Sequence, residues 1–147
     1  MDPRTGAFVQ AFGGRALDAS TLLLPLVHYV SPDDPRVGAT LEQVERELGR
    51  NGLIYRYRGM DDGLPGGEAA FLICSFWLVD NLAMTGQLER GRELFERLLT
   101  YSNDLGLMAE QVDPGSGDQR GNFPQAFSHM GLINSAIQLQ RFGAPAG

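Results

Sequence analysis

The sequence has few cysteines and histidines and no long uninterrupted apolar run. Cys74 is the only cysteine, so no internal disulfide can form. It lies in the apolar run FLICSFWL, where a buried and inert thiol is expected. His28 and His129 are isolated, so no metal cluster is predicted. The longest apolar stretch, 69–79, is shorter than the roughly 20 residues that cross a bilayer, and no membrane association is expected.

Positive charge is also scarce. The formal net charge is -6, which argues against a nucleic-acid partner because phosphate binding needs clustered Lys and Arg. A neutral ligand such as a sugar is compatible with this charge. The N-terminal run MDPRTGAF lacks the apolar core of a signal peptide, so a cytoplasmic location is predicted. With 43% hydrophobic and 20% charged residues, the chain is expected to form one soluble globular domain.

Hydrophobic periodicity predicts five helices and no convincing strand. The first helix is mostly apolar, and Pro25 must kink or split it. An Asp-Asp pair before Pro35 predicts the cap of the second, and Asn122 with Gln125 resembles a capping box for the fifth. The predicted spans are about 17–30, 34–50, 68–85, 88–102 and 124–142.

The order of these helices indicates the fold class. The first, third and fifth are apolar on most faces, whereas the second and fourth are amphipathic with one charged face. A helix that is apolar all round must be surrounded by protein, so inner and outer helices alternate. This alternation is typical of stacked helical hairpins, as in an α/α toroid or solenoid. A small irregular helical bundle is the alternative, and composition alone favours it.

Two long loops lead from an outer helix to an inner one, at 51–67 and 103–123. If the helices run up and down, both loops lie at the same end, together with the N-terminal stretch 8–15. Connections between packed helices are usually a few residues long, and long loops on a rigid scaffold commonly carry function. The candidate site is therefore predicted at this end.

The first loop contains the run YRYR, which includes Arg56 and Arg58. Arginine can hold neighbouring sugar hydroxyls, and tyrosine offers a flat apolar face to a sugar ring. The alternative is that these arginines pair with Asp61, Asp62 or Glu68 and only order the loop.

The second loop contains Glu110 after the apolar stretch LGLMA. A partly desolvated carboxylate beside a solvated loop could serve as a general base. The alternative is a surface glutamate or a helix cap, and the residue taken alone favours that alternative.

Ordered blocks along the whole chain resemble the C-terminal third of bacterial family 15 glycoside hydrolases, the glucoamylase-like family. The blocks are DASTLLLPL, YRYR, DDGLPGGEAAFLICSFWLVD, LFERLL, NDLGLMAE, DPGSGDQRGNFPQAFSH and LIN. The resemblance implies an all-α fold, a partial (α/α)6 toroid of about five alternating helices. It identifies residues 1–147 as a C-terminal fragment of that catalytic domain.

The resemblance implies inverting hydrolysis of α-glucosidic bonds with release of glucose and without a cofactor. Two carboxyl groups flank the bond in such enzymes and admit a water between them. The family's base lies in a segment that matches Ala109, Glu110 and Gln111, so Glu110 would be the general base and Gln111 would contact substrate.

Further substrate-binding residues follow from the same resemblance. The family's arginine-tyrosine pair matches Arg56 and Tyr57, and a shifted alignment would bring in Arg58. Glu68 lies at the start of the next inner helix and is also a predicted substrate contact. A serine that fungal members place near the base is matched by Gly121, with Asn122 next to it.

The family's catalytic acid lies in an upstream segment with no counterpart here. The chain alone is therefore expected to be inactive, and to need the N-terminal half of the domain or to self-associate. The leading hypothesis is an α-glucosidase of glucoamylase type acting on an α-glucoside or oligosaccharide. A trehalase of the same family is the alternative, and a non-enzymatic helical interaction module or gene remnant is a second one.

Overall fold

A computed structural model describes residues 1–58 and 69–144 of the chain. Helices dominate this part, as the sequence predicts. They are a 3-10 helix (Ala19–Leu22), α1 (Leu23–Leu26), α2 (Pro35–Leu48), α3 (Leu72–Met84), α4 (Leu88–Leu99) and α5 (Ala126–Gly143). Five two-residue strands form two small sheets: β1 (Gly49–Arg50), β2 (Leu53–Ile54), β3 (Ala70–Phe71), β4 (Gln111–Val112) and β5 (Gln119–Arg120).

The first predicted helix, 17–30, is much shorter in the structure. It consists of the 3-10 helix and the four-residue α1. Pro25 lies within α1, so it does not mark the break. The helical segment ends before His28, whose φ of 60° is left-handed and stops the helix.

The second helix is confirmed. Asp34 accepts a hydrogen bond from the backbone N–H of Arg36, and Pro35 is the first helical residue, which is the predicted cap. The second helix is amphipathic as predicted, and its apolar residues are buried: Val37, Leu41, Val44 and Leu48. The apolar face of α4 is less completely buried, since Leu98 is fully buried but Leu99 is 39% exposed.

Helix α3 forms the centre of the core. Its buried residues lie all round the helix, which agrees with its uniformly apolar sequence. Helix α5 packs closely against it, and Ser135 of α5 donates to the backbone carbonyl of Phe76 at 3.1 Å. The other face of α5 is an apolar stripe of residues that are each more than half exposed: Phe127, Met130, Ile133 and Ile137.

Gly131 lies where α5 meets α3, and we expect its replacement by Ala to destabilise the protein. A Cβ there would lie 2.8 Å from Ile73 Cδ1 and 2.9 Å from Phe76 Cβ. Overpacking costs ~1–3 kcal/mol, and the better helix propensity of Ala offsets about 1 kcal/mol of it. Urea denaturation should show a net loss. Gly38 in α2 is the matched control, since a Cβ there meets nothing within 4 Å and Gly38→Ala should stabilise. Equal effects of both variants would contradict this packing.

The sheets are a finding that the sequence did not predict. Strands of two residues are too short to show a period-two pattern. Strand β3 pairs with β4, and β4 pairs with β5, all antiparallel. Strand β3 occupies the position where the third helix was predicted to begin, so that helix starts at Leu72 rather than 68.

The described parts of the two long loops meet at one end of the helices, as predicted. The side-chain amide of Asn51 in the first loop donates to the carbonyl of Pro114 in the second at 2.8 Å. The predicted capping box is wrong, because Gln125 makes no side-chain cap to α5. Asn122 instead donates to Glu110.

Candidate active site

A cavity of about 240 Å³ opens at the end of the helices where the two loops meet. Its walls come from the first loop, the start of α3, the second loop and the start of α5. The lining residues are Arg56, Phe71, Ile73, Trp77, Glu110, Gln125, Phe127 and Ser128. Arg56 and Glu110, predicted from different loops, therefore share one cavity.

The backbone of Glu110 is fixed on both sides. Its carbonyl accepts a hydrogen bond from the N–H of Leu72, the first residue of α3, at 3.1 Å. Its N–H donates to the carbonyl of Asn122 at 2.9 Å. Neighbouring Ala109 is held in the same way, since its carbonyl accepts from the hydroxyl of the buried Ser128 at 2.7 Å. The backbone that carries the carboxylate is thus tied to both α3 and α5.

The carboxylate of Glu110 is oriented through one oxygen. Its Oε2 accepts from the backbone N–H of Asn122 at 3.2 Å and from the Asn122 side-chain amide at 3.0 Å. Gly121 makes this approach possible. Its φ is 75°, and a Cβ there would lie 2.8 Å from Glu110 Oε2. Two donors on Oε2 make Oε1 the oxygen better placed to accept a proton from water.

Arg56 is anchored by a residue that was not predicted as part of the site. Its Nε donates to Oδ1 of Asp18 at 2.5 Å. The side chain of Arg56 is 39% exposed and that of Asp18 is 11% exposed. The pKa of Arg56 is raised, chiefly by the hydrogen bond to Asp18. The expected alternative partners Asp61, Asp62 and Glu68 lie outside the described residues.

The remaining cavity wall is largely apolar and aromatic. Phe71 and Trp77 are half-buried, and Phe127 is 64% exposed. Flat apolar faces of this kind suit a sugar ring, whose C–H groups pack on them. Gln125 adds an amide that can both donate and accept hydrogen bonds. The sequence predicted no part in the site for these residues, although their blocks carried the family resemblance.

Two of the other predicted substrate contacts, Tyr57 and Arg58, lie away from this cavity. Tyr57 and Arg58 line a separate cavity of about 620 Å³, together with Arg4, Arg15 and Arg46. The Arg58 guanidinium lies 4.6 Å from the centre of the Tyr55 ring. Glu68 lies outside the described residues.

Gln111 is also absent from the lining of the smaller cavity. It belongs to β4, where it pairs with Phe71 of β3 and Arg120 of β5. Of the predicted site residues that the structure describes, Arg56 and Glu110 are brought together in this cavity.

The described residues also include a cysteine and several possible metal ligands outside this cavity. Burial raises the pKa of the Cys74 thiol to about 12, which fits the inert thiol expected from the sequence. Residues 1–58 and 69–144 contain no group of His, Cys, Asp and Glu that could hold a metal ion. No helix in this described part is long and apolar enough to cross a bilayer.

The fold is that of the glycosidases built as (α/α)6 toroids, and the chain forms part of such a toroid. A solved wild-type glycosidase superposes with a TM-score of 0.78 at 24% identity, over 91% of this chain and 38% of that chain. A glycosidase variant solved in complex with glucose gives the same TM-score at 23% identity and the same coverage.

The chain belongs to the glycosyl hydrolases family 15, whose family model matches residues 1–137. Curated relatives carry the name trehalase. That of Mycobacterium tuberculosis is 49% identical over 138 residues, which is 92% of this chain and 20% of the relative. That of Thermoplasma acidophilum is 40% identical over 140 residues, 95% of this chain and 24% of the relative. The chain thus spans about a fifth to a quarter of the length of these relatives.

Proposed function

We propose that this chain is the C-terminal part of the catalytic domain of a trehalase, an inverting glycoside hydrolase that cleaves α,α-trehalose into two glucose molecules. The observation that carries the proposal is the meeting of Glu110 and Arg56 in one cavity with aromatic walls. The name of the relatives at 40% identity and above favours trehalose over the maltose-type substrates expected first.

In this proposal Glu110 is the general base. Asn122 holds Oε2, and Oε1 takes a proton from the water that attacks the anomeric carbon. As the water attacks, the bond to the departing glucosyl oxygen breaks, and that oxygen must receive a proton from a second carboxyl group. Among the described residues that line this cavity, Glu110 is the one carboxylate, and we propose that the acid comes from another part of the domain.

Arg56 is proposed to donate hydrogen bonds to glucose hydroxyls, with Phe71 and Trp77 packing against the ring. Tyr57, Arg58, Glu68 and Gln111 remain proposed substrate contacts from the family resemblance.

A substrate panel tests the proposal. The complete polypeptide that contains this chain should hydrolyse trehalose with a kcat/KM at least ~10-fold above that for maltose or soluble starch, because sites built to bind particular hydroxyls discriminate strongly. Proton NMR of the first products should show one glucose released with inverted, β configuration. Preference for maltose or starch would support the glucoamylase-type alternative. Hydrolysis of none of these substrates would reject both.

A further inference from the structure

Asp18 is a buried carboxylate beside the candidate active site, and neither the predicted site nor the cavity lining includes it. The residue is 8% exposed and immediately precedes the 3-10 helix. Its Oδ1 accepts hydrogen bonds from the backbone N–H of Ser20 at 2.7 Å and from Nε of Arg56. One carboxylate oxygen therefore joins a helix cap to a cavity-lining guanidinium.

The backbone around Asp18 holds this carboxylate in a defined place. Its carbonyl accepts from the hydroxyl and the backbone N–H of Thr21, at 2.8 and 3.0 Å. The N–H of Ala19 donates to the carbonyl of Arg56 at 2.8 Å, which joins the two segments directly. Ala19 is fully buried, and Tyr55, beside Arg56, is 6% exposed. The backbone segments that carry Asp18 and Arg56 are therefore packed and hydrogen-bonded to each other.

The geometry of the pair determines which part of Arg56 can meet a ligand. The guanidinium is a planar fork with five donors, one of them on Nε. When Nε is fixed on Asp18, rotation of the fork is restricted, and the terminal nitrogens become the donors that can reach into the cavity. We infer that Asp18 is a positioning residue, which aims the Arg56 guanidinium at the substrate. This inference rests on the proposed role of Arg56 in binding glucose hydroxyls.

The electrostatics of the pair support a permanent charge on both partners. Burial acts to raise the pKa of Asp18, but the hydrogen bonds from Arg56 and Ser20 outweigh it and lower the pKa below its usual value. A buried carboxylate that stays ionised needs a fixed cation beside it. Asp18 and Arg56 therefore depend on each other, and loss of the charge at position 18 weakens this restraint on the Arg56 side chain.

A double-mutant cycle on the complete polypeptide separates positioning from structural support. Asp18→Asn keeps an oxygen for the Ser20 N–H, since Asn caps helices as well as Asp does. It should lower kcat/KM for trehalose by about 10-fold, because charge-assisted hydrogen bonds are the strong ones. Arg56→Ala should lower it by about 100-fold. In the Arg56→Ala background, Asp18→Asn should change kcat/KM by less than about twofold, because its target is gone.

Asp34 offers a matched control, since it also caps a helix start and binds an arginine, Arg36, at 2.6 Å on the exposed surface. Asp34→Asn should leave kcat/KM within about twofold. Should Asp18→Asn fail to fold, Asp18→Ser replaces it, because Ser retains an uncharged capping oxygen. The same loss of kcat/KM is expected for this variant. If Asp18→Asn lowers kcat/KM equally in the wild-type and Arg56→Ala backgrounds, Asp18 has only a structural role and the inference is overturned. If the wild-type protein hydrolyses trehalose but shows no coupling, this inference alone fails. If it hydrolyses no α-glucoside, the proposed function fails and the inference with it.

Discussion

Replacement of Glu110 by Gln is expected to lower kcat for trehalose by ~10²–10⁴-fold, the usual contribution of a general base. Gln keeps an oxygen that can accept from the N–H and amide of Asn122, so the local geometry should persist. KM should change little, because the lost function acts on the attacking water rather than on bound sugar. Initial-rate kinetics on the complete polypeptide measure both constants.

A pH profile strengthens this test. The acidic limb of the kcat/KM profile reports the essential base of the free enzyme, and it should disappear in the Gln variant. Glu96→Gln is a suitable control, since Glu96 lies exposed on α4 and outside the residues that line the cavity. Near-normal turnover of Glu110→Gln would remove Glu110 from the mechanism.

Asp80 gives the largest expected effect on stability. It lies in α3, is 5% exposed, and accepts a hydrogen bond from the hydroxyl of Ser135 in α5 at 2.6 Å. Burial raises its pKa from 3.8 to about 6, although the Ser135 hydroxyl acts to lower it. Between these two values the folded state binds more protons than the unfolded state, so the free energy of unfolding falls as pH rises. Asp80 makes its whole contribution to the free energy of unfolding at pH values below 3.8, the pKa of this group in the unfolded state. That contribution is lost as pH rises through about 6, the pKa in the folded state.

The size of this effect follows from the shift, which corresponds to about 3 kcal/mol between pH 3 and pH 7. Asp80→Asn cannot ionise, so the difference in unfolding free energy between this variant and wild type should change by that amount across the range. Taking the difference cancels the other carboxylates, such as Asp34, whose pKa is lowered by Arg36. Urea denaturation at several pH values measures it. A constant difference would show that Asp80 is ionised at the same pH in both states.

Ser135→Ala adds a second arm. Removing the hydroxyl takes away the hydrogen bond that lowers the Asp80 pKa, so the loss of stability should extend to higher pH. An unchanged pH range in this variant would mean that the Ser135 hydroxyl contributes nothing to the charged form.

The helices were predictable because their signals are local. The apolar stripe of α2 and its cap at Asp34 follow from spacing and residue type, and both are present. The length of the first helix was not predictable in this way. The first helical segment ends before His28, whose backbone is left-handed. The residue types around His28 do not predict this conformation.

The candidate site was predictable only in part. Glu110 and Arg56 were found through the family resemblance, and both line the cavity. Asn122 was interpreted as a helix cap, since a side chain that bonds a distant carboxylate looks in sequence like one that bonds the backbone nearby. Arg56 lines the smaller cavity and Arg58 lines the larger one. In a regular strand, two residues that lie two apart would face the same side, so the run YRYR alone did not predict this difference. Bends at Arg56 and Arg58 break the simple alternation of an extended strand.

The first turn of α3 is hydrogen-bonded both to the segment that carries Glu110 and to the segment that carries Arg56. Leu72 donates its N–H to the Glu110 segment, and the buried hydroxyl of Ser75 accepts the N–H of Ile54, two residues before Arg56. The tip of the second loop is held by its own Asp113, which accepts the N–H groups of Gly115 and Ser116, and by Asn51 of the first loop, which donates to the Pro114 carbonyl. The separation of Glu110 and Arg56 is therefore set by one turn of α3, and a shift of that turn would move both residues together.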